Sequence, residues 1–421
     1  MKVHQTTSHP IVEASPRLAK VLADLISLGA SSFGALYDRQ NLGPIGDRIT
    51  LGPPGRLEFN AVSNGKLPVV NLATHGCLAL GNDPRVRRGA VDALEKYGTH
   101  TGGTRALSGT TGLHCDLEER LAAFVGSERV VTYSSAYAAA VSVLSTLFGP
   151  GDLIILDRYA HRSLYDGAML SRARIRRFAH NDLDHLDHIL RSTGSVSRRL
   201  VVVDSVYSME GHLAPLPALV DLARRHGAFL LADEAHAFGL VGPTGRGAAE
   251  HFAIDPGSID IRIGSLSKAI PAIGGFAAVD ASIAILLRYV SQGRAFSAAM
   301  TPPDAGAALE AVRILEKEPE RVRLLQRNAS VFRSELTRSD LDTFGSETAI
   351  VPVRVGDRMR TLTTASTLLE RGVYVNPIIA PGVPSGRERL RCLVTAAHSE
   401  DDLKFAAATI GEVLDSKPWT A

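Results

Sequence analysis

Cysteine is nearly absent. Cys77, Cys115 and Cys392 are the only three in 421 residues, far apart and in no metal-ligand spacing. Scattered single thiols argue against a disulfide framework and a cysteine-based metal site, and fit buried, reduced side chains of a cytosolic protein. An excess of charge of one sign is missing too. Forty-six basic against 44 acidic residues leave a formal net charge of +2, which gives no electrostatic reason to expect nucleic acid or an acidic membrane surface as partner. No apolar run reaches the roughly 20 residues of a membrane span, and the N-terminus pairs no basic region with a long apolar stretch. The expectation is a soluble, cytoplasmic protein with small-molecule partners. A phosphate loop is also lacking. ADEAHAFG at 232–239 contains a tetrapeptide found in some nucleotide hydrolases, but that reading needs G-x-x-x-x-G-K-[ST] upstream. The one Gly-Lys pair, Gly65–Lys66, is followed by Leu67. Lysine itself is rare mid-chain: Lys268 is the only one between Lys96 and Lys317.

What is present is an alternation of short apolar runs with helical patterns. Apolar content of 45% and charged content of 21% are ordinary for a globular protein, and the length exceeds a single core, so two domains are expected. LPVVNLA, RVVTY, LIILD, RIRRF, LVVVD, AFLLAD, IDIRIGSL and GGFAAVD read as strands. Between many of them lie helical segments such as VRRGAVDALEKYG, HCDLEERLAAFVG and APLPALVDLARRHG. Continuous Val/Ile/Leu runs indicate strands buried on both faces, and strands alternating with helices indicate an α/β parallel sheet. Past Pro302–Pro303 a long helical stretch leads to AIVPVRV, VYVNPII and LRCLVTA and a closing helix, a smaller α+β unit. The expected division is 1–65, an N-terminal helix over 16–33 and a Gly/Pro-rich arm that leans on something else, a partner subunit among the candidates; 66–304, the large domain; and 305–421, the small one.

Parallel sheets bind ligands at the carboxyl ends of their strands. Asp233 ends AFLLAD, Ser208 follows LVVVD, His161 follows LIILD and Lys268 follows IDIRIG, so four strands deliver polar groups to one edge. A lone lysine downstream of a buried acid suits pyridoxal phosphate: the amine forms a Schiff base with the cofactor aldehyde, and the carboxylate keeps the pyridine nitrogen protonated so that the ring accepts electrons. SSAYAAAVSVLSTLF starts a helix after RVVTY, and a helix N-terminus offers free N–H groups to a phosphate. A substrate carboxylate calls for the planar fork of an arginine.

With YGTHTGGTRALSGTTGLHCDLEERLAAF, DRYAHRSLYDGA, VYSMEGHLAPL and LRCLVTAAHSEDDL in order, the chain from about residue 70 to its C-terminus resembles the α-oxoamine synthase family of fold-type I pyridoxal 5'-phosphate enzymes. The resemblance implies a mostly parallel seven-stranded sheet in the large domain, and residue roles. Lys268 is the Schiff-base lysine, Asp233 the pyridinium partner, and His161 stacks on one ring face with Ala235 on the other. His236 and Ser208 lie at the phenolic oxygen. Ala136 and Tyr137 stand at a Gly-aromatic pair that holds the phosphate, alanine replacing glycine. Ser265 adds a hydroxyl, and Ser297 serves the neighbouring subunit's phosphate in a homodimer. Arg391 takes the substrate carboxylate, with Arg389 a nearby decoy; His75 and Thr104 line the substrate. Ile379 stands where serine-using members have a second arginine. Arg172, Arg174, Arg176 and Arg177 read as a solvated strand edge and helix end, the alternative being a docking patch for coenzyme A phosphates or an acidic carrier protein.

The implied reaction joins glycine, alanine or serine to an acyl thioester, on coenzyme A or a carrier protein, with release of carbon dioxide and thiol. The alternatives are an aminotransferase or other enzyme of the same fold, and a non-catalytic partner subunit. Histidines at 161 and 236 count against the first, and the presence of Lys268 against the second. On the amino acid the hints disagree: Thr104 resembles glycine-restricted members, and GVYVNPIIAPGVPSG the serine users.

Overall fold

The computed structural model describes residues 14–21, 23, 39–54 and 67–415. The expected N-terminal helix is described only over 16–21 and at residue 23; the rest of it lies outside the described residues. Three early strands, β1 (Arg39–Asn41), β2 (Arg48–Pro54) and β3 (Leu67–Asn71), pair antiparallel in sequence order. Next come β4 (Arg129–Tyr133), β5 (Leu153–Asp157), β6 (Arg174–Phe178), β7 (Arg199–Asp204), β8 (Phe229–Asp233), β9 (Ile261–Ser267) and β10 (Pro271–Val279). They form one seven-stranded sheet in the order β4-β10-β9-β8-β7-β5-β6. The five strands from β9 to β6 run parallel, and β10 runs antiparallel to both of its neighbours. This is the fold-type I transferase architecture.

The central strands are buried on both faces, as the unbroken apolar runs require; all five residues of β5 are buried, whereas the edge strand β6 exposes Arg174, Arg176 and Arg177. Helices 136–147, 162–171 and 281–290 cover one face, and 112–125, 183–192, 216–225 and 302–317 the other. Caps set where these helices begin. Asp83 accepts from Arg85 N, with Pro84 at the first helical position, and Thr301 accepts from Asp304 N ahead of Pro302. The helices opened by these two caps pack closely: a methyl on Gly89 would lie 2.9 Å from Gly306 O.

The small unit has β11 (Ile350–Arg354), β12 (Val373–Tyr374), β13 (Asn376–Ile378) and β14 (Arg389–Leu393). VYVNPII, expected as one strand, is split at Val375: β12 pairs in parallel with β3, while β13 pairs with β14, which also pairs with β11. The described part of the arm leans on this unit of its own chain. Ile49 and Leu51 enter a core shared with Phe332, Val351, Leu368 and Leu403. Helix Pro302–Lys317 straddles the expected boundary at 304/305, and its apolar side belongs to the large-sheet core.

Candidate functional site

The parallel strands end side by side. Asp204 and Asp233 are register partners at the ends of β7 and β8, and both are buried. Asp204 accepts from His161 N at 3.0 Å, and Asp233 from Ala235 N at 2.9 Å. Neither acid reaches solvent, so burial pushes both carboxyls above the ordinary carboxylate range. Asp204 is pushed well up, with Asp233 adding to the effect, whereas the Lys268 amine draws Asp233 back down. Lys268 follows β9 directly and lies within electrostatic reach of Asp233, Asp204, Arg391 and Cys77. Burial lowers its amine below the usual lysine range, against the pull of the two acids.

Histidines surround this group. His161 caps helix Arg162–Ser171: its Nδ1 accepts from Ser163 N at 3.3 Å and lies 2.8 Å from Ser163 Oγ, which puts the ring proton on Nε2. Its ring is exposed at the mouth of the site. His236, directly after Ala235, is pushed far below the ordinary imidazole range by burial and by Lys268, so it is neutral. The ring of His75 lies 5.7 Å from that of His236, and burial, then Arg391 and Lys268, pull its pKa down to about 4. Cys77, which the sequence reading passed over, is buried here with its thiol pushed up to about 12.

The two arginines of β14 differ in a way their spacing conceals. Arg389, fully buried, pairs with Glu210 at 3.0 Å and donates to Met209 O at 2.9 Å. Arg391 makes only long contacts, 3.5 Å to Ser208 O and 3.8 Å to Met209 Sδ, and its buried Nε has no partner. No carboxylate among the described residues pairs with it. A planar cation held with its donors open is a receptor for a carboxylate.

A second cluster lies at the start of helix Ala136–Leu147. Ser135 caps it, its hydroxyl taking Ala138 N at 3.1 Å and its carbonyl Ala139 N, which leaves the Ala136 and Tyr137 N–H groups as unpaired donors. Alanine at 136 needs no unusual backbone, because it is the first helical residue. The glycine that allows close approach is on the neighbouring strand instead. Gly275 pairs with Ser265 on one side and Tyr133 on the other, and any side chain there would collide with Ala136 N. The buried Ser265 hydroxyl, 3.0 Å from Ser267 Oγ, is thereby set against the helix N-terminus. Ser297 lies within its own chain beside Ser134, Oγ to Oγ 3.2 Å. Tyr137 turns its hydroxyl away, to Asp166 at 2.8 Å. Thr104 is apart from the histidine cluster, bridged to Ala298, with its hydroxyl buried and unpartnered.

These donors fit pyridoxal phosphate. They comprise a buried amine, a strand-end acid beside it, an orphaned arginine Nε, and a helix N-terminus with free N–H groups next to a buried hydroxyl. No helix among the described residues is long and apolar enough to cross a membrane.

The comparisons agree with that chemistry. The aminotransferase class I and II family model matches residues 68–410, so the fold and site are those of a pyridoxal-phosphate-dependent transferase. Among curated relatives, 8-amino-7-oxononanoate synthase of Symbiobacterium thermophilum is 40% identical over 346 residues, 82% of this chain and 88% of that protein. The protein of the same name from Geobacter sulfurreducens is 42% identical over 347 residues, again 82% and 88%. Among solved structures, Sphingomonas wittichii serine palmitoyltransferase superposes with a TM-score of 0.86 at 30% identity, covering 96% of this chain and 98% of that one. The chain belongs to the α-oxoamine synthase family. It is an acyltransferase that condenses an amino acid with an acyl thioester, with loss of carbon dioxide.

Proposed function

We propose that the amino acid is a small one, alanine ahead of glycine and serine, and that Lys268, Asp233, His161 and Arg391 divide the work of the condensation. The observation that carries the proposal is the contrast at β14: Arg389 has the buried carboxylate of Glu210 as its partner, while Arg391 pairs with no carboxylate among the described residues and lies within electrostatic reach of Lys268 and His75. Alanine is favoured because 8-amino-7-oxononanoate, the product in the relatives' name, carries a methyl group beside its amine-bearing carbon.

Pyridoxal phosphate, when bound, supplies a ring that accepts the electron pair left at the α-carbon. Ala136 N, Tyr137 N and Ser265 Oγ would hold its phosphate. Asp233 would keep its ring nitrogen protonated, and His161 and Ala235 would pack on its two faces. Neutral His236 and Ser208 would serve its phenolic oxygen. The guanidinium of Arg391 binds the amino-acid carboxylate, with His75 beside it. Lys268 Nζ takes the α-proton, an amine suited to that work because burial already favours its neutral form. His161 is exposed and has Nδ1 engaged by Ser163, so its Nε2–H would donate to the thioester oxygen. The α-carbon bonds to the thioester carbonyl carbon as the carbon–sulfur bond breaks and the thiol leaves with a proton, and the resulting β-keto acid loses carbon dioxide to give an α-amino ketone.

A homodimer in the cytoplasm is part of the proposal. Phe296, 86% exposed, and Leu107, 84% exposed, lie on the two segments that the Thr104–Ala298 bridge joins, and are apolar side chains suited to covering by a second copy. Spectral titration of the cofactor-loaded protein with glycine, alanine and serine, followed by thiol release from an acyl thioester, tests the reading. Alanine should give the tightest binding and the fastest release. Faster turnover with serine or glycine overturns the choice of alanine, and transamination without thiol release overturns the roles given to the residues.

A further inference from the structure

Two histidines outside the site are joined end to end. His180 Nδ1 lies 3.1 and 3.2 Å from the two oxygens of Asp157, and His180 Nε2 lies 2.9 Å from His212 Nδ1. His212 Nε2 then reaches Phe344 O at 2.6 Å. The rings of Tyr159 and Tyr207 flank His180, with centroids at 4.6 and 4.3 Å. The contacts run unbroken from a buried carboxyl to a backbone carbonyl. A carbonyl only accepts, so His212 Nε2 donates to Phe344 O. The Asp157 carboxyl is also held by Tyr159 N at 2.7 Å and Asn181 N at 2.9 Å, which donate to it, so the two-ring link is anchored at both ends.

The chain ends on a turn that matters for the substrate. Tyr207 N donates to His212 O at 3.0 Å and Gly211 N to Tyr207 O at 2.8 Å, closing a hairpin whose tip is Ser208–Met209–Glu210. Ser208 O and Met209 Sδ are the contacts of Arg391, and Met209 O and Glu210 are those of Arg389. At its other end Asp157 shapes the loop that leads to His161, accepting Ala160 N at its carbonyl and Tyr159 N at its side chain. We propose that His180 and His212 are positioning residues for the amino acid: they lock the Ser208–Glu210 turn beneath Arg391 and tie it to the loop carrying His161. This rests on the reading of Arg391 as the carboxylate receptor.

The test is His212→Ala, with His180→Ala and the double variant. The KM for the amino acid should rise about tenfold or more in each, the size expected for losing a buried hydrogen-bonded link. Effects on the kcat, the KM for the acyl thioester and the affinity for pyridoxal phosphate, which would pass through Ser208 and the His161 loop, should be smaller, within about threefold. The double variant should be no worse than either single one, since the two rings act as one unit. In the cofactor-free protein, amide hydrogen exchange over 205–213 and 342–348 should speed up while the strands of the large sheet keep their protection. If His212→Ala does not fold, His212→Gln keeps a donor for Phe344 O, takes away the imidazole Nδ1 that meets His180 and gives the same reading. An unchanged amino-acid KM in a folded variant, or a loss confined to kcat, overturns the relay. Failure of the underlying reading looks different: Arg391→Lys would then leave the amino-acid KM of the otherwise native enzyme unchanged.

Discussion

Asp204 and Asp233 stand next to each other across two parallel strands, both sealed from solvent, and the pair carries charge unequally. Asp233 has Lys268 as its main attraction, while Asp204 has burial and Asp233 itself working against ionisation. The folded state therefore retains a proton on Asp204 that the unfolded chain gives up above the ordinary 3.8. Its stabilising contribution is complete below that value and is lost as pH rises toward the folded-state pKa, at up to about 1.4 kcal/mol per pH unit. Asp204→Asn, which keeps an acceptor for His161 N, should flatten this part of the pH dependence. Urea unfolding of the cofactor-free protein at pH 5 and pH 8 is the measurement. An equal slope in variant and parent would show that Asp204 is ionised.

His75 acts in the opposite sense. Its pKa falls from 6.5 to about 4 on folding, so the unfolded chain binds the extra proton between those values. The contribution of His75 is fully present above 6.5 and disappears as pH falls to 4, an effect on the order of 3 kcal/mol at most. His75→Asn should make the cofactor-free protein less sensitive to acid across that window, read by unfolding at pH 4.5 and 7.

Lys268→Ala should abolish the visible absorption band of the bound cofactor and reduce thiol release by at least about 10³-fold, the scale seen when a group central to the chemistry is deleted. Circular dichroism should show the fold intact, because Lys268 makes no ion pair among the described residues. A retained band would mean that another amine carries the cofactor.

The arginines of β14 should separate cleanly. Arg391→Lys should raise the amino-acid KM roughly 10- to 100-fold, equivalent to about 1.4–2.8 kcal/mol, with little change in melting temperature. Arg389→Ala strands Glu210 as a buried unpaired charge and should cost about 3–5 kcal/mol of stability, seen first as a lower denaturant midpoint. Equal effects of the two on stability would remove the distinction drawn between them.

Much of this was legible in the residues. β5, β7 and β8 announce themselves because strands buried on both faces need unbroken apolar runs, and Asp233 is visible as the acid closing one. Asp157 and Asp204 close β5 and β7 in the same way, yet an acid at the end of an apolar run is equally a turn residue; only the hydrogen bonds to His161 N, Tyr159 N and His180 distinguish them. Arg391 and Arg389 have near-identical surroundings in sequence, and it takes Glu210, far away in the chain, to tell the free guanidinium from the paired one. The division of VYVNPII follows from a long-range partner, β3, that no local pattern encodes.

That pairing has a consequence for how the chain is made. The large sheet is complete once residue 279 has been synthesised, whereas β3 has no parallel neighbour until Val373 and Tyr374 emerge. Ile49 and Leu51 await a core whose last members, Val413 and Leu414, come almost at the end. β2 and β3 thus wait through most of synthesis, and the unit that presents Arg391 closes only after both residues 48–71 and residues 373–414 are available.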